Sequence, residues 1–204
     1  MKLSFLRVLV IALSLFSWSA VSAQNDPQQT LRMSIDTLVA EFSNKRAEFE
    51  ADKGKLFDIA ERAIDEHWDF GKMAQLVLGK NWRRMSDDQK LRFTEAFKDL
   101  LVRTYATTMF KYTGKEAILL QAPIYKGKKN NRAVVNAIGD LGDGSDPIPL
   151  SFSMFQDKGG KWMIYNVTAA GISLVTTYRS NYSQIIAAQG IESLIESINS
   201  KTKG

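Results

Sequence analysis

The chain has a single histidine, His67, in the run Glu66-His67-Trp68-Asp69. An imidazole titrates near neutral pH, and a neighbouring carboxylate can hold its charged form, so this run has the composition of a general base. One histidine cannot build a multi-histidine zinc site or supply more than one proton-transfer centre. With no cysteine in the chain, disulfides, a thiol nucleophile and thiolate metal ligands are excluded. No G-x-S-x-G elbow, phosphate loop or dinucleotide fingerprint is present. The plainer reading of His67 is a surface or helix-end residue. A small-molecule enzyme using it with a carboxylate stands as the alternative.

Two other clusters carry charge. Asp140, Asp143 and Asp146 sit at intervals reminiscent of a calcium loop. The spacing departs from the EF-hand pattern, and Ser151 occupies the place of the bidentate glutamate. A solvated hairpin loop accounts for them, and no metal or cofactor is expected. Lys126, Lys128, Lys129 and Arg132 surround Gly127 and Asn130-Asn131. They read either as an exposed turn or as a docking patch for lipid headgroups or an acidic partner. No aromatic platform interleaves with them, which argues against nucleic acid. Arg83-Arg84 is a weaker version of the same feature.

These groups must be positioned by a chain of 204 residues, 45% apolar and 24% charged. That composition is enough for one compact domain with a sizeable core, or at most two small ones, and excludes a largely disordered chain. Residues 1–23 read as a secretory signal peptide: Lys2 and Arg7, the apolar stretch Val8 to Phe16, then Val21-Ser22-Ala23, a small-residue cleavage pattern. The apolar run is too short to span a bilayer comfortably. Residues 24–204 form the mature domain, outside the cytoplasm. Without Lys2 and Arg7 it carries 25 basic and 22 acidic residues, a mild positive excess.

Helical spacing comes first. Asp26-Pro27 opens a helix carrying Leu31, Ile35, Leu38, Val39 and Phe42. Leu56, Ile59, Ala60, Ala63, Ile64 and Trp68 predict a second, and Asp69 caps a third that Gly79 stops. Ser86-Asp87-Asp88-Gln89 is a capping box. It starts a long helix to about Tyr112, with Phe93, Phe97, Leu101, Tyr105 and Met109 on one face and Gly114 as its stop. The period then becomes alternating at Ile118–Ile124, Ala133–Ile138, Ile148–Met154 and Trp162–Val167. Asp157-Lys158-Gly159-Gly160 reads as a hairpin turn. Gly171 begins a return to helix, and Gly190 separates two final helices. The expected fold is α+β, a four-stranded antiparallel meander covered by several helices. Apolar faces on both layers are what an apolar pocket between sheet and helices needs. Periodicity alone does not separate such a pocket from a filled core.

The residues also resemble a known family in their order and spacing. The pieces are Phe70-Gly71-Lys72-Met73-Ala74 with Val77-Leu78-Gly79 and Trp82, then Gln89, Phe93, Phe97 and Leu101 with Thr104-Tyr105-Ala106. Gly160-Lys161-Trp162-Met163-Ile164-Tyr165-Asn166-Val167 follows, then Gly171-Ile172-Ser173-Leu174-Val175 and Tyr178-Arg179. Ile185-Ile186 and Gly190-Ile191-Glu192-Ser193-Leu194-Ile195 close the pattern. Over essentially the whole mature chain this resembles the MlaC family of periplasmic phospholipid-binding proteins, also called the toluene-tolerance auxiliary family. Asn166 departs from the aspartate often found there, which touches only a local hydrogen bond.

The resemblance implies a periplasmic, non-enzymatic carrier of phospholipid with a deep apolar pocket for the acyl tails. It implies exchange with an outer-membrane lipoprotein–porin complex and with an inner-membrane ABC transporter bearing an MCE-domain subunit, in the service of outer-membrane lipid asymmetry. A periplasmic chaperone with an apolar groove is a further alternative. Within the apolar set, the pocket candidates are Met73, Leu76, Phe97, Leu101, Tyr105, Met109, Val135, Phe152, Met154, Tyr165, Val167, Ile172, Leu174 and Tyr178. Lys126, Lys128, Lys129 and Arg132 are the docking candidates.

Overall fold

The structure is a computed structural model and describes residues 26–109, 117–142 and 144–202. The signal-peptide segment, Tyr112, Gly114 and Asp143 lie outside the described residues, as does the side chain of Met109. Helix α1 (Pro27–Asn44) begins where predicted, with the Asp26 carboxylate accepting from the Gln28 N–H at 2.9 Å. A short α2 (Arg46–Ala51) and α3 (Lys53–Asp65) follow, α3 capped by Asp52. Trp68, expected on the second helix, lies beyond its end. The backbone there turns into a strand-like segment, which forms a parallel bridge between Trp68 and Ile164. Ile164 N–H donates to the His67 carbonyl at 2.8 Å and Asp69 N–H to the Ile164 carbonyl at 2.9 Å.

Asp69 then caps α4 (Phe70–Leu78) by accepting from the Lys72 N–H at 2.6 Å. The helix stops at Gly79, whose φ of 54° ends the regular backbone. A 3-10 segment (Gly79–Arg84) leads to α5 (Asp87–Met109). The capping box forms as read. Gln89 N–H donates to Ser86 Oγ at 3.1 Å, and Ser86 N–H donates to Gln89 Oε1 at 3.0 Å.

Among the described residues the sheet is antiparallel and has six strands: β1 (Ala117–Leu120), β2 (Ile124–Lys126), β3 (Arg132–Asp140), β4 (Ile148–Gln156), β5 (Trp162–Ala169) and β6 (Ile172–Ser173). The four expected strands form the predicted meander, with two additions. The stretch Ile118–Ile124 breaks into β1 and β2, both paired with β3. Pro123 between them has no N–H to give to a ladder. Gly171 does not start a helix. Ala170 (φ 48°) and Gly171 (φ 80°) make a two-residue hairpin of left-handed residues, which returns the chain as β6. Helix α6 (Leu174–Thr202) follows and is interrupted at Gly190, where φ is 83°.

Among the described residues, three apolar clusters hold the layers together. One joins α4, α5 and α6 around Phe93, Phe97, Met73 and Leu194. A second joins α1, α3 and α5 around Phe42, Leu56 and Val102. The third sits on one face of the sheet, where Ala133, Val135, Phe152, Met154, Trp162 and Ile164 pack with Leu31 of α1.

Candidate functional site

Between these clusters lies a cavity of about 680 Å³, well within the size of a small-ligand site. Helical spacing supplies three of its walls. Leu31, Ser34, Ile35 and Leu38 come from α1, Leu101, Val102, Tyr105 and Ala106 from α5, and Leu174, Thr177, Tyr178 and Asn181 from α6. Each set falls on one stripe of its helix. Ala60 and Ile64 of α3, Trp68, and Phe70 and Met73 of α4 close further sides. The sheet contributes Ile118, Leu150, Phe152, Val167, Ala169 and Ile172.

The lining is apolar and uncharged: among its described residues there is no Asp, Glu, Lys, Arg or His. Its few polar groups are neutral. Trp68 Nε1–H donates to Ser34 Oγ at 3.2 Å, so neither presents a bare polar atom. Burial pushes the Tyr178 phenol above its ordinary pKa, with Tyr105 adding to the effect. Met73, Leu31 and Phe152 are buried at the bottom, whereas Tyr105 and Ile172 are 44% and 66% exposed at the rim. Thr177 and Asn181 are also exposed there. The cavity therefore runs from a buried floor to an open mouth near the β5–β6 hairpin.

Eight of the pocket candidates line this cavity: Met73, Leu101, Tyr105, Phe152, Val167, Ile172, Leu174 and Tyr178. Others pack elsewhere. Phe97 is fully buried in an aromatic cluster, its ring 5.7 Å from Phe93 and 5.2 Å from Tyr178. Val135 and Met154 are solid core on the sheet face, and Leu76 packs against the cluster of α4, α5 and α6. Tyr165 is the extra residue of an irregularity in β5 and places its ring 5.8 Å from Phe155. The walls from α1 and α3 were absent from the candidates. Their stripes were legible, but which layer they face is not a property of one helix.

His67 is a helix-end residue but not a surface one, at 6% exposure. Its Nδ1 has no partner among the described residues, and it does not line the cavity. Burial lowers its pKa, opposed by Glu66 and aided by Lys161, so the imidazole is neutral at neutral pH. The basic turn is exposed throughout, at Lys126, Lys128, Lys129 and Arg132. Asp140 spends its carboxylate on the Gly142 N–H at 2.8 Å, as a loop residue does.

Asn166 joins the sheet to the mouth. Its Oδ1 accepts from Ser173 Oγ–H and from the Val175 N–H, both at 3.1 Å. It thereby satisfies a free amide at the start of α6. On α6, Arg179 Nε donates to the Leu76 carbonyl at 2.7 Å, which ties the helix to the last turn of α4.

Residues 32–200 match the sequence model of the MlaC protein family. The intermembrane phospholipid transport system binding protein MlaC of Haemophilus influenzae is 25% identical over 175 residues, 85% of this chain and 80% of that protein. The toluene tolerance protein ttg2D of Pseudomonas putida is 21% identical over 185 residues, 90% of this chain and 83% of that one. The fold is shared with a phospholipid-binding protein from Ralstonia solanacearum solved in complex with a phospholipid. There the TM-score is 0.77 at 20% identity, covering 87% of this chain and 97% of the other. With the family model spanning nearly the whole described chain, the protein belongs to the MlaC family.

Proposed function

We propose that this protein is a periplasmic phospholipid carrier that takes the acyl tails into its cavity and leaves the headgroup at the mouth. The observation that carries the reading is the uncharged apolar lining, whose described residues open to solvent where Tyr105, Ile172, Thr177 and Asn181 stand. The names of the Haemophilus relative and the Ralstonia neighbour support the same cargo.

Two tails with about 30 methylenes cost on the order of 24 kcal/mol to expose to water, so free lipid does not cross an aqueous gap quickly. A lined cavity replaces one apolar environment with another, and net transfer lies near balance. Carriage needs no covalent step and no proton transfer, so we read the protein as a carrier and not an enzyme. Direction then comes from the partners. The family resemblance supplies these as an outer-membrane lipoprotein–porin complex and an inner-membrane ABC transporter with an MCE-domain subunit. The signal-peptide reading of residues 1–23 puts the carrier between them.

Transfer of a fluorescent phospholipid between two vesicle populations tests the reading. Catalytic amounts of protein should raise the exchange rate at least tenfold over vesicles alone. Exchange at the uncatalysed rate, with folded protein, would overturn it.

A further inference from the structure

The sheet is polarised along its strands. The cavity mouth lies at the end floored by the Leu150–Ala169 pair and the β5–β6 hairpin. The opposite end is reached at the Arg132–Phe155 pair. Five residues of β4 separate the two levels, about 17 Å at ~3.3 Å per residue. Beyond the far level stand two turns side by side, β2–β3 and β4–β5. They carry exposed Lys126, Lys128, Lys129, Arg132, Lys158 and Lys161.

The acids near that end are already engaged. Asp157 Oδ1 accepts from the Gly159 and Lys161 N–H groups at 2.8 and 2.9 Å. Asp26 caps α1, and Glu66 lies 3.5 Å from Lys161. Among the described residues, Lys126, Lys128, Lys129, Arg132 and Lys158 have no ion-pair partner. At the mouth end the β3–β4 loop carries the opposite sign, with Asp140 and Asp146 exposed.

We infer that the basic end is a docking surface for an acidic segment of a partner protein, which holds the carrier by the end remote from its mouth. The inference rests on the carrier reading for what the mouth must face. A bilayer is the wrong occupant. A carrier seated on anionic lipid by these lysines would hold its mouth about 17 Å or more from that surface, on the far side of the molecule. Surface attraction fades within a Debye length of about 8 Å. An acidic protein segment has no such conflict: it pairs with the five free cations and leaves the mouth open to a lipid source.

The test measures binding of a decaglutamate peptide at low ionic strength; phospholipid content, and exchange with phosphatidylglycerol vesicles at about 0.15 M ionic strength, where the Debye length is about 8 Å, are followed on the same preparations. Lys128→Glu with Lys129→Glu should weaken peptide binding at least tenfold. Arg83→Glu with Arg84→Glu, the same charge change at exposed residues elsewhere, should weaken it no more than threefold. Neither pair should alter lipid content, and exchange with bare vesicles should stay within twofold. Equal weakening by the two pairs would overturn the inference, as net charge alone would explain it. A tenfold slower vesicle exchange in the lysine pair would also overturn it, by making the membrane the occupant. Absence of phospholipid in wild type would overturn the carrier reading instead. Peptide binding lost only at the basic end would still support the docking surface.

Discussion

Ile164 and Val167 face the same side of β5 although they stand three positions apart, where regular alternation would put them on opposite faces. Ile164 is opposite Met154 and Val167 opposite Phe152, two β4 residues on one face. The register shifts between Ser153 and Met154, and Tyr165 is the residue left without a partner. This bulge keeps the sheet's apolar face continuous from core to cavity, and it bends and twists the strand. Beyond it Val167 and Ala169 floor the mouth.

That facing has a direct consequence. Val167→Asp puts a carboxylate into an uncharged cavity, where burial disfavours the charge and the group competes with apolar cargo. Retained phospholipid should fall at least tenfold. Thr168→Asp, one residue along and opposite Ser151 on the other face, should leave it within twofold. Lipid extraction and quantification of the two variants decides the matter. Equal losses would mean the facing is wrong.

Bulk can replace cargo. Ala60 and Ala106 line the cavity from α3 and α5, so Ala106→Phe with Ala60→Phe places two rings where tails would lie. Retained lipid should drop several-fold while the lipid-free protein keeps its unfolding midpoint. Ala74→Phe is the contrast. Ala74 is fully buried in the core cluster of α4, α5 and α6 and does not line the cavity, so overpacking should cost about 1–3 kcal/mol. Denaturant titration of lipid-free proteins measures both.

Much of the architecture was legible because its signals are local. Asp26, Asp69 and the Ser86–Gln89 box cap helices through side chains only two or three residues from the amides they satisfy. The Asp157–Gly160 turn is likewise self-contained. The cavity was only partly legible. Phe93, Phe97, Leu101 and Tyr105 form one helical stripe, yet Phe93 and Phe97 pack under α6 whereas Leu101 and Tyr105 reach the cavity. Periodicity defines a face, and what lies over each end of that face is decided by other elements. Strict alternation also groups Tyr165 with Val167, and only the register with β4 shows the bulge between them. The β6 pairing was hidden for a related reason, since two residues are too few to show a period.

Asn166 offers a test of local electrostatics. Its Oδ1 already accepts from an amide at the start of α6, where the helix dipole favours negative charge. Asn166→Asp should stabilise the protein by about 0.3–1 kcal/mol at neutral pH. The gain should vanish as acid protonates the new carboxylate. An unchanged or lower denaturant midpoint at pH 7 would contradict this geometry.

His67 makes the opposite pH prediction. Its folded pKa lies below the ordinary 6.5 because of burial, so the folded state refuses a proton that the unfolded chain accepts. Stability should be complete above about pH 6.5 and should fall as pH drops from there towards the lowered folded value. Denaturant midpoints between pH 7.5 and 5.5 measure the slope, which His67→Ala should flatten. At neutral pH the same variant should transfer lipid within twofold of wild type, because the imidazole does not touch the cavity. A collapse of transfer in a stably folded His67→Ala protein would favour acid–base chemistry instead.

The central claim is that the cavity holds phospholipid, and native mass spectrometry of mature protein purified from cells without detergent addresses it most directly. The account predicts a mass above that of the polypeptide by one or more diacyl phospholipids, released by organic solvent and lost in Val167→Asp. A folded protein with the mass of the polypeptide alone, and with no mass gain after incubation with phospholipid vesicles, would contradict it.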